Sequence, residues 1–178
     1  LGVCLLVLAP AQCMASAWID VIFDREVPEA TRVNIGRAVD TTSDLLTKYK
    51  VVTREPIQII VTTDLESYIQ AIMFYLKKSR TEADKIAPFS GGLSGGGKPV
   101  IVIRGTPLLN SEPQEAFRVI PHEVFHQVQR QYGRTDTVTW LKEGDPEVLR
   151  MVAQEAAGLG RVNDYLGQAV KMVRRAPV

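Results

Sequence analysis

His122-Glu123-Val124-Phe125-His126 is an HExxH stretch that contains both histidines of the chain. On a helix, residues i and i+4 lie on one face. Both imidazoles then reach a single metal ion, with Glu123 turned one step round from them. Two histidines so spaced, with a glutamate after the first, are the sequence signature of a zinc-dependent hydrolase. The chemistry accounts for each residue type. Catalytic zinc takes three protein ligands and keeps a fourth position for water. The metal acidifies that water and polarises a carbonyl. A carboxylate beside it accepts the proton as water attacks and passes it to the leaving amine. The competing explanation is an amphipathic helix that carries its histidines without function, and the flanking sequence argues against it.

Downstream lies Trp140-Leu141-Lys142-Glu143-Gly144. HExxH followed by W-L-x-E-G resembles the gluzincin metallopeptidases, the group that includes thermolysin and the aminopeptidase-N-like enzymes. The resemblance is specific over 122–147 and architectural over 55–121. It implies one zinc ion held by His122, His126 and Glu143, with Glu123 as general base and a peptide or protein as substrate. Glu147 follows Glu143 at helical spacing and shares its face. The resemblance implies that Glu147 accepts a hydrogen bond from a zinc-binding imidazole and so fixes its tautomer. It also implies an α+β, zincin-like fold, with a small mixed sheet packed on the HExxH helix and further helices following. In that family the strand before the motif helix rims the cleft and binds an extended peptide as an added strand. Val100, Ile101, Val102 and Ile103 occupy that place in the sequence. The alternative for them is a central strand with no free edge.

The chain departs from the family pattern at two prolines and one missing histidine. Pro121 directly precedes His122 and is expected to kink or restart the motif helix. Asp145-Pro146 reads as a helix cap and first helical residue, which would leave Glu143 just outside the helix. With no third histidine, a histidine proton donor is excluded. A tyrosine can take that role, and Tyr165 and Tyr132 are the candidates.

The first residues read as a processing signal, with a buried N-terminal strand as the alternative. An apolar run from Leu1 to Ala9 precedes Pro10 and the A-x-A pattern Ala15-Ser16-Ala17, as in a secretory signal peptide shortened at its start. The run is too short to span a membrane. The expected division is a leader over 1–17 and one zincin-like domain over 18–178. The mature chain is expected outside the cytoplasm, beginning at Trp18, with no stable membrane anchor and few contacts between 1–17 and the core. Cleavage would remove Cys4 and Cys13, the only two cysteines. A formal charge of +1 gives no electrostatic footprint for nucleic acid. The stretch Gly92–Lys98 reads G-x-x-x-x-G-K, but Pro99 stands where a phosphate loop has Ser or Thr. It also precedes a strand instead of following one, so nucleotide is not an expected ligand.

Periodicity and punctuation supply the remaining elements. Trp18 to Phe23 reads as a strand, Pro28 to Tyr49 as a helix and Ile57 to Val61 as a buried strand. Thr63-Asp64 caps a helix to Leu76. Ser90 to Pro99 reads as a glycine-rich loop, and Val100 to Ile103 as a second buried strand. Ser111 opens the motif helix in a capping box with Gln114, and Gly133 ends it. A helix from Pro146 to Ala157 turns Val148, Leu149 and Val152 inward. A last helix groups Val162, Tyr165, Leu166, Ala169, Val170 and Val173. The second functional reading is a non-catalytic extracytoplasmic domain that binds zinc or a peptide. A structural zinc site usually closes with a fourth protein ligand. With the histidines used and the cysteines in the leader, only another carboxylate could close it, which favours an open site.

Overall fold

A computed structural model describes residues 14–16, 19–95, 97–105, 112–133 and 139–167, with the side chains of 14–16 and 139–142 left aside. Three strands form the parallel centre of a mixed sheet: β2 (Ile19–Phe23), β3 (Ile57–Thr62) and β5 (Val100–Arg104). Two antiparallel strands flank them. β1 (Met14–Ser16) pairs with β2, and β4 (Gly92–Gly95) pairs with β5, giving the order β1-β2-β3-β5-β4. Parallel neighbours need a crossover, usually helical. Helix α1 (Glu29–Lys48) links β2 to β3, while α2 (Leu65–Leu76) and α3 (Arg80–Ile86) lie between β3 and β5. Helices α4 (Pro113–Gln131) and α5 (Thr139–Ala156) follow the sheet, and a helical turn covers 162–167.

The side-chain alternation of β3 separates two cores. Ile57, Ile59 and Val61 join Ile101, Ile103 and the apolar faces of α1 and α4, including Ile35, Leu46, Phe117, Ile120 and Val124. Ile60 turns to the other face, with Val100, Val102 and the α2 residues Tyr68, Ile69 and Ile72. Helices on both faces cover the near-continuous apolar runs Ile59–Val61 and Val100–Ile103, as buried parallel strands require. The α2 helix starts where its sequence directs. Asp64 accepts from the Ser67 amide at 2.7 Å, and Ser67 Oγ accepts from the Asp64 amide at 3.1 Å. The Ser67 amide, and after it the Ser67 hydroxyl at 2.9 Å, donate to the Asp64 carboxyl and hold it below its ordinary range.

The mixed α+β class is as expected, and several details differ. β5 lies between β3 and β4, so Val100 to Ile103 have no free edge. The expected rim strand is central, and the edge belongs to β4, inside the stretch read as a loop. Pairing with β5 and cover from α4 hold these four glycine-rich residues extended, although their intrinsic strand preference is low. The motif helix begins at Pro113 after Glu112, which makes no side-chain cap bond. Gln114 bonds instead to the Leu159 carbonyl at 3.3 Å, outside any capping box, and Ser111 lies outside the described residues. Val148 faces solvent at 54% exposure while Leu149 is buried. Within the stretch read as a leader, Met14–Ser16 pair with β2 through Met14↔Val21, contrary to the expectation of few contacts. Residues 1–13 and 17–18 lie outside the described residues, as do Ala169, Val170 and Val173. Among the described residues no helix is long and apolar enough to cross a membrane.

Candidate metal centre

The site is built by α4 and α5. Helix α4 buries Phe117, Ile120, Val124 and Val128, an apolar stripe at helical spacing against the sheet. It ends at Gly133, whose φ of +71° suits the left-handed turn after a helix. Pro121 lies inside α4 and is itself buried, and the helix runs through it to His122. Proline removes one i to i−4 bond, but packing on the sheet holds the helix on both sides. Pro146 is likewise internal to α5, which starts at Thr139. Glu143 is therefore a helical residue, and the expected break at Asp145-Pro146 is absent.

His122, His126 and Glu143 each offer a ligand atom within 4.8 Å of the others, so the group could hold a metal ion. The two Nε2 atoms are 3.0 Å apart. Glu143 Oε2 stands 3.6 Å from His122 Nε2 and 3.4 Å from His126 Nε2. The other ring nitrogens have their own partners. His122 Nδ1 is 3.0 Å from Glu147 Oε1. His126 Nδ1 is 3.2 Å from Gln129 Oε1, and Gln129 Nε2 donates to Asp145 Oδ2 at 3.5 Å. These acceptors assign a proton to each Nδ1. Both Nε2 atoms then face one space that a metal ion could occupy.

Glu147 divides its two oxygens between neighbours. Oε1 faces His122, while Oε2 accepts from Arg150 Nε at 2.8 Å and Nη2 at 2.7 Å. Arg150 also donates to Gln154 Oε1 at 3.1 Å and lies 5.3 Å from the Tyr165 ring centroid. Tyr165 is thus a neighbour of Arg150, and its hydroxyl occupies the space beside Gly160, where an added Cβ would stand 2.6 Å from it. The contacts described for Tyr165 are with Arg150 and Gly160 and include none of the three ligands. Tyr132 is also elsewhere, donating to the Val52 carbonyl beyond the end of α4.

Glu123 points towards β4. A Cβ on Gly92 would meet Glu123 Cγ at 3.1 Å, so a glycine there lets strand and helix approach. Burial pushes the Glu123 carboxyl up, while His126, a hydrogen bond from Ser94 and Arg130 oppose that shift. Tyr68, fully buried on α2, has its hydroxyl 3.0 Å from Ser90 Oγ. Burial first, and the nearby Glu123 charge after it, raise that phenol to about 12.

Four of these contacts lie beyond the motif-based reading. Gln129 and Asp145 support His126, Ser94 bonds Glu123, and Arg150 holds Glu147. Gln129 and Arg150 had a local signal, since each follows its partner, His126 or Glu147, at i+3 on the same helix. Ser94 comes to Glu123 only through sheet pairing. Compared with known proteins, the chain matches no family model, no curated protein and no solved structure.

Proposed function

We propose that this domain is a zinc-dependent peptidase of the gluzincin kind, with one zinc ion held by His122, His126 and Glu143. The observation that carries the proposal is the convergence of these three ligand atoms beside a partly buried glutamate on the same helix. The donor set suits zinc. Ligand atoms about 2.0–2.1 Å from a tetrahedral ion stand roughly 3.3 Å from one another. The separations here are 3.0, 3.4 and 3.6 Å.

Zinc, when bound, supplies Lewis acidity towards a carbonyl oxygen and lowers the pKa of water. The chain's own groups do the rest. Glu123 takes the proton of the attacking water on a carboxylate oxygen and delivers it to the departing amine nitrogen as the C–N bond breaks. Glu147 and Gln129 keep each imidazole oriented with its Nε2 towards the ligand cluster. β4 offers the backbone for an extended peptide. The Gly91 carbonyl accepts from the Arg104 amide at 3.0 Å. By antiparallel alternation, Gly92 and Ser94 then turn their N–H and C=O groups away from β5. Arg130 Nη2 occupies the Ser94 carbonyl at 2.9 Å, and the Gly92 groups and the Ser94 amide face the edge where a substrate strand can add.

The experiment is metal analysis of purified protein, followed by digestion of a peptide library with and without chelator. Stoichiometric zinc and chelator-sensitive cleavage are expected. Zinc without cleavage would leave a binding domain, and no metal uptake would end the proposal.

A further inference from the structure

The glycine-rich stretch that fails as a phosphate loop walls a cavity near the site. A cavity of about 660 Å³ opens at the far end of β4, between the β4–β5 turn, the end of α2 and the last turns of α4. Its lining includes Lys78, Lys98 and Arg130, against a single carboxylate residue, Glu55. Lys78 is 3.8 Å from Glu82, and among the described residues neither Lys98 nor Arg130 enters an ion pair. The polar groups around them are already committed: Gln127 donates to the Val100 carbonyl at 2.9 Å, and Gln131 to the Glu55 carbonyl at 3.0 Å. Three cations therefore border one hollow: Lys78 has Glu82 beside it and Arg130 feels the Glu123 charge, while Lys98 has no ion pair among the described residues.

The hollow is continuous with the site. Ser94 lines it and also hydrogen-bonds Glu123. Arg130 follows Glu123 by seven residues on α4, an advance of about 10 Å along the helix. An extended peptide advances about 3.3 Å per residue, so about three residues cover that distance. We propose that this hollow is a specificity pocket for an acidic side chain, Asp or Glu, about three residues from the bond that is cut. The proposal rests on the peptidase reading for the phrase "bond that is cut", and on the cavity alone for its preference for carboxylates.

The test separates the two. End-blocked hexapeptides, matched in pairs with glutamate or glutamine at one position, are offered to the zinc-loaded protein for cleavage. The same peptides are offered to the Glu123→Gln protein for binding by fluorescence anisotropy. Glutamate at one position is expected to improve both by about three- to tenfold, the range of one or two partly exposed charge pairs. Lys98→Glu, and Lys78→Glu with Lys98→Glu, are expected to abolish or reverse the preference while zinc content and melting temperature hold. Equal use of glutamate and glutamine at every position overturns the pocket, even if cleavage is efficient. So does a glutamate preference that survives both charge reversals. A preference in binding without any cleavage overturns the peptidase reading and leaves the pocket standing.

Discussion

The two imidazoles turn their Nε2 atoms towards each other because each Nδ1 is already engaged, His122 with Glu147 and His126 with Gln129. Orientation at this scale is separable from proton transfer, and substitution should reveal it. Glu147→Ala and Gln129→Ala are each expected to weaken zinc binding by about 10–100-fold with the fold retained, because the loosened ring loses its tautomer and direction. Competition with a chromophoric chelator measures this, and unchanged affinity in both variants would remove the supporting role. Glu123→Gln should behave differently. It is expected to bind zinc as tightly as the parent and to hydrolyse nothing, since an amide cannot take the proton of water. Full activity in that variant would exclude Glu123 as the base. His122, Glu123 and His126 were legible because helical spacing places them on one helix, whereas Glu143, on α5, was named only through the resemblance of W-L-x-E-G to a family motif. Gln129 was hidden among ordinary helix polar residues, and Ser94 became a neighbour of Glu123 only when the sheet formed.

At the scale of elements, the decisive contact is between β4 and α4. Gly92 has no room for a side chain: a Cβ there would stand 2.8 Å from Val119 Cγ1, 3.1 Å from Glu123 Cγ and 3.2 Å from Ile103 Cδ1. Gly92→Ala is therefore expected to cost about 1–3 kcal/mol, the range of overpacking in a filled site. Denaturant midpoints would read that cost, and the displaced Glu123 should lower kcat in the same variant. A variant as stable and active as the parent would show that the approach of strand to helix is looser than these distances. The long apolar elements were readable as sequence: Ile57 to Val61, Val100 to Ile103 and the α4 stripe all form where periodicity placed them. β4 was not readable, because Gly92-Leu93-Ser94-Gly95 has neither alternation nor strand-forming residues and is extended by its partner. Pro146 misled for a related reason. Proline disfavours a helix interior locally, but the surrounding helix buries Leu149 and Ala153 in the core, and that burial outweighs the lost bond.

Across the whole molecule, the candidate centre joins two helices that the chain connects through residues 134–138 and that otherwise meet by packing. His122 and His126 come from α4 and Glu143 from α5, so an ion held by all three ties the elements together. A ligand that binds only the folded state stabilises it by mass action, about 2.7 kcal/mol at a hundredfold excess over its Kd. For a chain of this size that corresponds to a rise in Tm of roughly 5–10 °C. Thermal melts with zinc titrated into chelator-treated protein are expected to show that rise, and excess chelator should reverse it. His126→Ala should melt near the metal-free parent and gain nothing from zinc, since two remaining donors bind weakly. A parent Tm indifferent to zinc would mean that the three side chains converge without holding a metal. A rise that persists in His126→Ala would place the bound metal somewhere else on the protein.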